Sequence, residues 1–221
     1  MYKFFFKRFL DIILSLIAIF LLSPFLIVIS IVLALSGEHY VFYFQKRVGF
    51  NNKEFYVIKF ATMLKDSPNL GSGLYTGKND SRILPFGHFL RKTKINEIPQ
   101  LFNVLIGNMS IIGPRPLTKK TYDFYRYEQK EIISKVKPGI SGVQQIIFRN
   151  EDEILDKVKI PLDKYYKKNI APLKSELEIW YVKNFSFFVD LIIILLTIVV
   201  VIFRKNNIIY KIFKDLPRNK L

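Results

Sequence analysis

Residues Ile12–Leu35 form a nearly uninterrupted apolar run, and that run carries a proline in its middle. Roughly 20 apolar residues suffice to cross a bilayer as a helix, so one transmembrane helix is the simplest expectation. A cleaved signal peptide fits less well, because the run is long for such a segment and no small-residue cleavage site follows it. Two details argue for a different course. Ser23-Pro24 sits mid-run, where proline removes an intrahelical hydrogen bond and bends the axis. The flanks are basic on both sides: Lys3, Lys7 and Arg8 precede the run, and Lys46, Arg47, Lys53 and Lys59 follow it. Such residues favour the cytoplasmic side. A spanning helix satisfies only one flank, whereas a helix that enters, breaks at Ser23-Pro24 and returns satisfies both. The expectation is a re-entrant hairpin over residues 1–38, with Asp11 paired to Lys7 or Arg8 at helical spacing.

The rest of the chain agrees with a membrane surface. The 221 residues are half hydrophobic yet carry a net charge of +16, a combination that suits apolar segments in lipid beside anionic headgroups. Nucleic acid is the rival partner for so basic a chain, and the apolar runs count against it. With no cysteine, disulfides and thiolate metal sites are excluded. His39 and His88 stand far apart and give no metal-site spacing. A second apolar run, Phe185–Phe203, is interrupted only by Ser186, Asp190 and Thr197 and is again flanked by basic residues, Lys183 before it and Arg204-Lys205 after it. Its length permits a transmembrane helix. The flanks and Asp190, costly in lipid away from the interface, point to an in-plane helix followed by a basic tail.

Between the runs, at 39–184, a cytosolic catalytic unit of α/β (mostly α) class is expected, with 185–221 forming the interfacial or membrane helix and tail. Val41–Phe44 and Phe55–Phe60 read as strands around the turn Gly49–Asn52. Ser67–Asp80 reads as a loop near a site. Thr121–Val136 reads as one surface helix ended by Lys137-Pro138-Gly139, and Glu151–Asn169 as helical in part.

The chemistry concentrates in Leu90–Pro116. Ile95, Ile98, Leu101, Phe102 and Leu105 recur at helical spacing. Asn96 is a candidate N-cap and Pro99 falls in the first turn. Glu97 there either complements the helix dipole or holds a divalent cation that bridges phosphate oxygens, since Mg²⁺ favours one or two carboxylates plus substrate phosphate. Arg91, Lys92 and Lys94 add positive charge. In Gly113-Pro114-Arg115-Pro116, two prolines restrict the backbone around Arg115, and a guanidinium so held suits bidentate phosphate binding. Arg149 is a second candidate phosphate or uridine contact.

Together these segments resemble the bacterial sugar transferase family, the monotopic polyprenyl-phosphate phosphoglycosyl transferases. The matching residues run through most of the chain: Lys7–Asp11, Ser23-Pro24, Gln45–Gly49, Lys59-Phe60, Asn79–Arg82, Leu90–Gln100, Asn103–Gly107, Met109-Ser110, Gly113–Pro116, Lys137–Gly142 and Tyr181–Asn184. The resemblance implies a re-entrant hairpin broken at Ser23-Pro24 and a small α/β unit on the cytoplasmic face of a bacterial inner membrane. It implies transfer of a phospho-sugar from a UDP-sugar to polyprenyl phosphate, with release of UMP. In the family an Asp-Glu pair works with Mg²⁺: the Asp attacks the β-phosphate to form a phosphosugar–enzyme intermediate, and the Glu helps bind the metal. By resemblance, Asn96 and Glu97 are the catalytic positions and Glu97 the metal position. Lys59, Arg91, Arg115, Arg149 and Glu178 are the substrate-binding positions. The implied partners are polyprenyl phosphate, a UDP-sugar and an anionic bilayer, without nucleic acid; a homodimer is an arrangement the sequence leaves open.

This chain departs from the family pattern at Asn96. An amide is uncharged and a poor nucleophile, so the aspartyl role does not transfer to it. Ala61 stands where the family usually has Arg, Val143 where it often has Trp, and Glu178 where Asp is common. Two readings stay open. One is an active transferase in which Glu97, or the lipid phosphate directly, makes the attack; direct attack needs only orientation and charge neutralisation. The other is a catalytically impaired membrane protein that binds lipid phosphate or recruits glycan enzymes.

Overall fold

A computed structural model describes residues 5–70, 80–203 and 206–218. Lys3, Arg204, Lys205 and most of the loop expected at Ser67–Asp80 lie outside the described residues. The architecture is mostly helical with two small sheets.

The first apolar run forms α1, Lys7–Leu35, with Pro24 inside it. Among the described residues it is the one helix long and apolar enough to cross a membrane. Pro24 lacks the N–H that would bond the Phe20 carbonyl four residues back. The Ser23 hydroxyl donates to that same carbonyl at 2.8 Å, so the bond lost to proline is replaced from the preceding side chain. Phe20, Leu21, Phe25, Ile27 and Val28, around this point, are exposed. Both ends of α1 meet the rest of the molecule. Near its start, Lys7 donates to the Ile112 carbonyl and Arg8 to the carbonyls of Val104 and Leu105. Near its end, Leu33 packs with Phe60 and Leu90. Asp11 does not pair as the spacing suggested: it accepts from the Ser110 hydroxyl and the Ile111 N–H, both at 3.0 Å. Lys7 turns instead to Asp190.

Strands β1, Phe42–Val48, and β2, Glu54–Phe60, pair antiparallel from Phe42↔Phe60 to Val48↔Glu54. The expected turn joins them, with Asn51 and Asn52 both at positive φ (52° and 60°), where asparagine is better tolerated than most residues. β1 runs four residues past the expected Phe44, because Gln45–Val48 continue the ladder despite their charge. Helices α2, Pro85–Lys92, and α3, Gln100–Ile106, follow. Strand β3, Ser110–Ile112, pairs in parallel with β4, Gly139–Ser141.

The single helix expected over Thr121–Val136 is two helices, α4 at Lys119–Tyr122 and α5 at Tyr127–Ile133. Tyr122 and Tyr125 are both buried in the core, and the chain turns between the helices to place them. A new N-terminus then forms, where the Gln129 side chain accepts from the Arg126 N–H at 2.9 Å. Beyond β4 come α6, Val143–Ile147, α7, Glu151–Leu155, α8, Leu162–Tyr165, and a π-helical turn, Tyr166–Ile170. Then follow α9, Ala171–Asn184, α10, Phe187–Phe203, and α11, Ile209–Ile212.

The main core gathers α5, α6, α9, α10 and α11 around Val143, Ile170, Leu177, Tyr181, Ile193 and Ile209. Helix α10 inserts one face, Asp190, Ile193, Leu196 and Val200, and leaves Phe188, Leu195, Ile198 and Ile202 exposed on the other. Its 17 residues reach about 26 Å, short of a bilayer core of about 30 Å. Asp190, the residue most costly to place in lipid, lies inside the protein, bonded to Lys7 and to the Tyr181 hydroxyl.

Candidate active site

The site is built from three strand or turn segments that converge on Glu97. Lys94 adopts the left-handed conformation (φ 62°) and turns the chain into a 3-10 turn, Ile95–Glu97. This strained step for a non-glycine residue corrects the expected geometry. Asn96 is not the cap of a continuous helix; α3 begins at Gln100, preceded by Pro99. Asn96 is buried, and its Oδ1 has no hydrogen-bond partner among the described residues.

From β2, Lys59 Nζ donates to Glu97 Oε1 at 2.8 Å. From the corner after β3, Arg115 Nη2 lies 3.5 Å from the same oxygen. The corner itself is fixed by close backbone packing. Gly113 N–H bonds the Ser141 carbonyl and Gly139 N–H the Pro114 carbonyl, and a Cβ on Gly139 would fall 2.0 Å from Gly113 N. Behind it, Glu178 Oε1 accepts the Arg115 backbone N–H at 2.8 Å. On β1, Arg47 donates to the Pro116 carbonyl and to Gln45 Oε1.

The electrostatics follow from one carboxylate among several cations. Burial opposes the charge on Glu97, but Lys59, Arg115 and Lys94 outweigh it and hold the carboxyl well below its ordinary range. Burial lowers Lys59 to about 8, with Glu97 opposing and Arg47 and Arg115 adding to the fall. Burial and then the charge of Arg115 lower Arg47 to about 10, so it stays protonated at neutral pH. Burial pushes the Glu178 carboxyl up to about 8, against the pull of the Arg115 N–H and the Lys174 and Arg115 charges. The result is a locally positive pocket around an ionised Glu97, suited to a polyanion.

These groups face a cleft of about 880 Å³. Of the sequence-derived candidates, Lys59, Arg91, Asn96, Glu97, Arg115 and Arg149 all line it. Glu178 is not among the lining residues and touches the site through the Arg115 backbone. Sequence reasoning missed Arg47, whose alternation with Tyr43 and Gln45 along β1 was the available signal. It also missed Lys174, buried with its ammonium bonded to Glu151 and Tyr166. Among the described residues no group of three His, Cys, Asp or Glu side chains could hold a metal ion. Leu22 of α1 and Thr197, Val200 and Val201 of α10 also line the cleft, and both helices carry exposed apolar residues.

Fold and site thus define a mostly helical α/β protein with a cationic cleft around Glu97 and a long exposed apolar helix. The chain belongs to the bacterial sugar transferase family, whose match covers residues 2–204. It is 34% identical over 201 residues to a UDP-N-acetylgalactosamine-undecaprenyl-phosphate N-acetylgalactosaminephosphotransferase of Aeromonas hydrophila, covering 88% of this chain and 43% of that protein. It is 37% identical over 196 residues to a UDP-glucose:undecaprenyl-phosphate glucose-1-phosphate transferase of Klebsiella pneumoniae, covering 87% and 39%. It is 39% identical over 158 residues to an uncharacterized sugar transferase, EpsL, of Bacillus subtilis, covering 72% and 68%. The match therefore spans about two fifths of the length of the first two relatives.

Proposed function

We propose that this protein transfers a phospho-sugar from a UDP-sugar to undecaprenyl phosphate, releasing UMP, as the first membrane step of a bacterial surface glycan pathway. One observation carries the reading: Lys59 and Arg115 flank an ionised Glu97 in a cleft walled by α1 and α10. A cationic site beside apolar helices suits an acceptor with a phosphate head and a polyprenyl tail.

Arg115, Arg47 and Lys59 bind the diphosphate, and Glu97 keeps the two nearest cations in place. Because Glu97 Oε1 already meets both Lys59 and Arg115, and Asn96 carries no charge, the lipid phosphate makes the attack directly. Its oxygen bonds to the β-phosphorus as the bond to the α-phosphate breaks, and UMP leaves. Orientation and charge neutralisation supply the rate. Mg²⁺ fits the residues present. It takes one carboxylate, with the remaining ligands drawn from substrate phosphate and water. Glu97 would hold it, and Asn96 Oδ1 on the adjacent residue, buried and without a partner among the described residues, is a second hard oxygen. When bound, the ion would neutralise diphosphate charge.

The proposed setting is the cytoplasmic face of the inner membrane, with residues 1–38 as a hairpin re-entrant at Ser23-Pro24, 39–184 as the catalytic unit and 185–221 as an interfacial helix and tail. In support, both ends of α1 contact one body while its middle is exposed, and α10 is short and buries one face.

Incubation of the purified protein with UDP-sugars, Mg²⁺ and undecaprenyl phosphate is expected to release UMP without a sugar-labelled protein intermediate. No release with any UDP-sugar, together with release on Asn96→Asp, would reject direct attack. It would favour the second reading, which rests on the same uncharged Asn96: a catalytically impaired protein that binds lipid phosphate or recruits glycan enzymes.

A further inference from the structure

Gln144, on α6, is 1% exposed, yet neither its amide oxygen nor its amide nitrogen has a partner among the described residues. It lies on the wall of the cleft with Ser141, Gln145, Thr197 and Val200. Other polar groups on that wall bond elsewhere: the Ser141 and Thr197 hydroxyls bond each other at 2.7 Å, and Gln145 Nε2 donates to the Gly139 carbonyl at 3.2 Å. Gln145 Oε1 is likewise buried and without a partner.

Leaving a buried polar group unpaired costs its full desolvation penalty, and buried side-chain polar atoms are in most cases paired. Here one side chain carries two such groups, where an apolar residue of the same length would carry neither. The cost is offset if a ligand supplies the partners. We propose that Gln144 is a specificity-determining residue whose amide pairs with an adjacent hydrogen-bond donor and acceptor on the nucleotide sugar. The proposal rests on the transferase reading and deepens it.

The required chemistry is a rigid ring bearing a donor next to an acceptor. An amide meets such an edge through two parallel hydrogen bonds, as Gln does with a nucleobase. Two parts of a UDP-sugar offer it: the uracil imide edge and the polar substituents of the sugar ring. A site built for such hydrogen bonds discriminates strongly, because a ligand lacking them leaves the buried groups unpaired.

The test measures binding by calorimetry and thermal unfolding on the full chain in lipid nanodiscs, for wild type, Gln144→Leu and Gln144→Met. The probes are UDP, UDP-glucose and UDP-N-acetylgalactosamine. Both variants are expected to raise Kd about tenfold or more for at least one probe, and to melt at the same or a higher temperature without ligand, since an unpaired buried amide has been removed. Weakening that extends to UDP assigns the uracil; weakening confined to UDP-sugars assigns the sugar. Unchanged Kd in both variants overturns the proposal, as does a lower melting temperature of both ligand-free variants, which would make the amide a structural group satisfied by water. Wild-type protein that binds none of the three probes would fail the transferase reading and this proposal with it. Unchanged Kd in variants of a wild type that does bind would fail this proposal alone.

Discussion

Glu97 is one carboxylate facing Lys59, Arg115 and Lys94, and the proposed phosphate binding rests on this excess of positive charge. Lys59 is the member that titrates in an accessible range. Held at about 8 by burial, it loses its charge as pH rises through that value. kcat/KM for the UDP-sugar is therefore expected to fall on the alkaline side near pH 8, and Lys59→Arg to move that fall to higher pH; a pH–rate profile of both proteins checks it. Arg115→Lys keeps the charge but loses the planar fork, and about a 100-fold drop in kcat is expected in the UMP assay. Glu178 makes a stability prediction. Its folded value of about 8 exceeds the ordinary 4.5, so the folded chain retains a proton that the unfolded chain loses first. That contribution is fully present below about pH 4.5 and is lost as pH rises through about 8. Glu178→Gln should flatten stability between these limits, read from denaturant midpoints at several pH values. At this scale the sequence was informative where charge and proline stood together, as at Arg115. It was silent on Arg47 and Gln144, whose roles depend on what lies opposite them.

Among the elements, α1 and the β1–β2 hairpin were legible, because a long apolar run and a glycine-asparagine turn are local signals. The start of α3 was not: the sequence pattern placed it at Asn96, and the helix begins at Gln100. Lys94 at positive φ diverts the chain, and nothing in the side-chain pattern announces that backbone step. The split of α4 from α5 was hidden for a related reason: amphipathic spacing continues through 121–136, while the burial of Tyr122 and Tyr125 decides where the chain turns. The Ser23-Pro24 step in α1 yields a topological prediction. The chain has no cysteine, so single thiols introduced by Phe5→Cys and Lys53→Cys report cleanly. Both should react from the cytoplasmic side in the otherwise unchanged protein. With Pro24→Ala added, the helix regains its hydrogen bond, and one of the two thiols should become protected or react from the opposite side.

Across the whole molecule, partly buried Lys7 of α1 and buried Asp190 of α10 form an ion pair that also engages the Ile112 carbonyl and Tyr181. Removing either partner takes away the other's closest ion pair, and Lys7→Met or Asp190→Asn is expected to cost about 1–3 kcal/mol in unfolding experiments. The double substitution Lys7→Met with Asp190→Leu should recover much of the loss. Tyr181 and Glu178 stand three residues apart on α9, hence on one face of the helix. The first bonds the Ile112 carbonyl at 3.1 Å and the second the Arg115 amide at 2.8 Å. The stretch from Ile112 to Arg115 is irregular in conformation yet riveted at both ends to the same rod. Its guanidinium therefore inherits the positional tolerance of a buried helix rather than that of a surface loop, and any force that shifts α9 must carry the arginine with it.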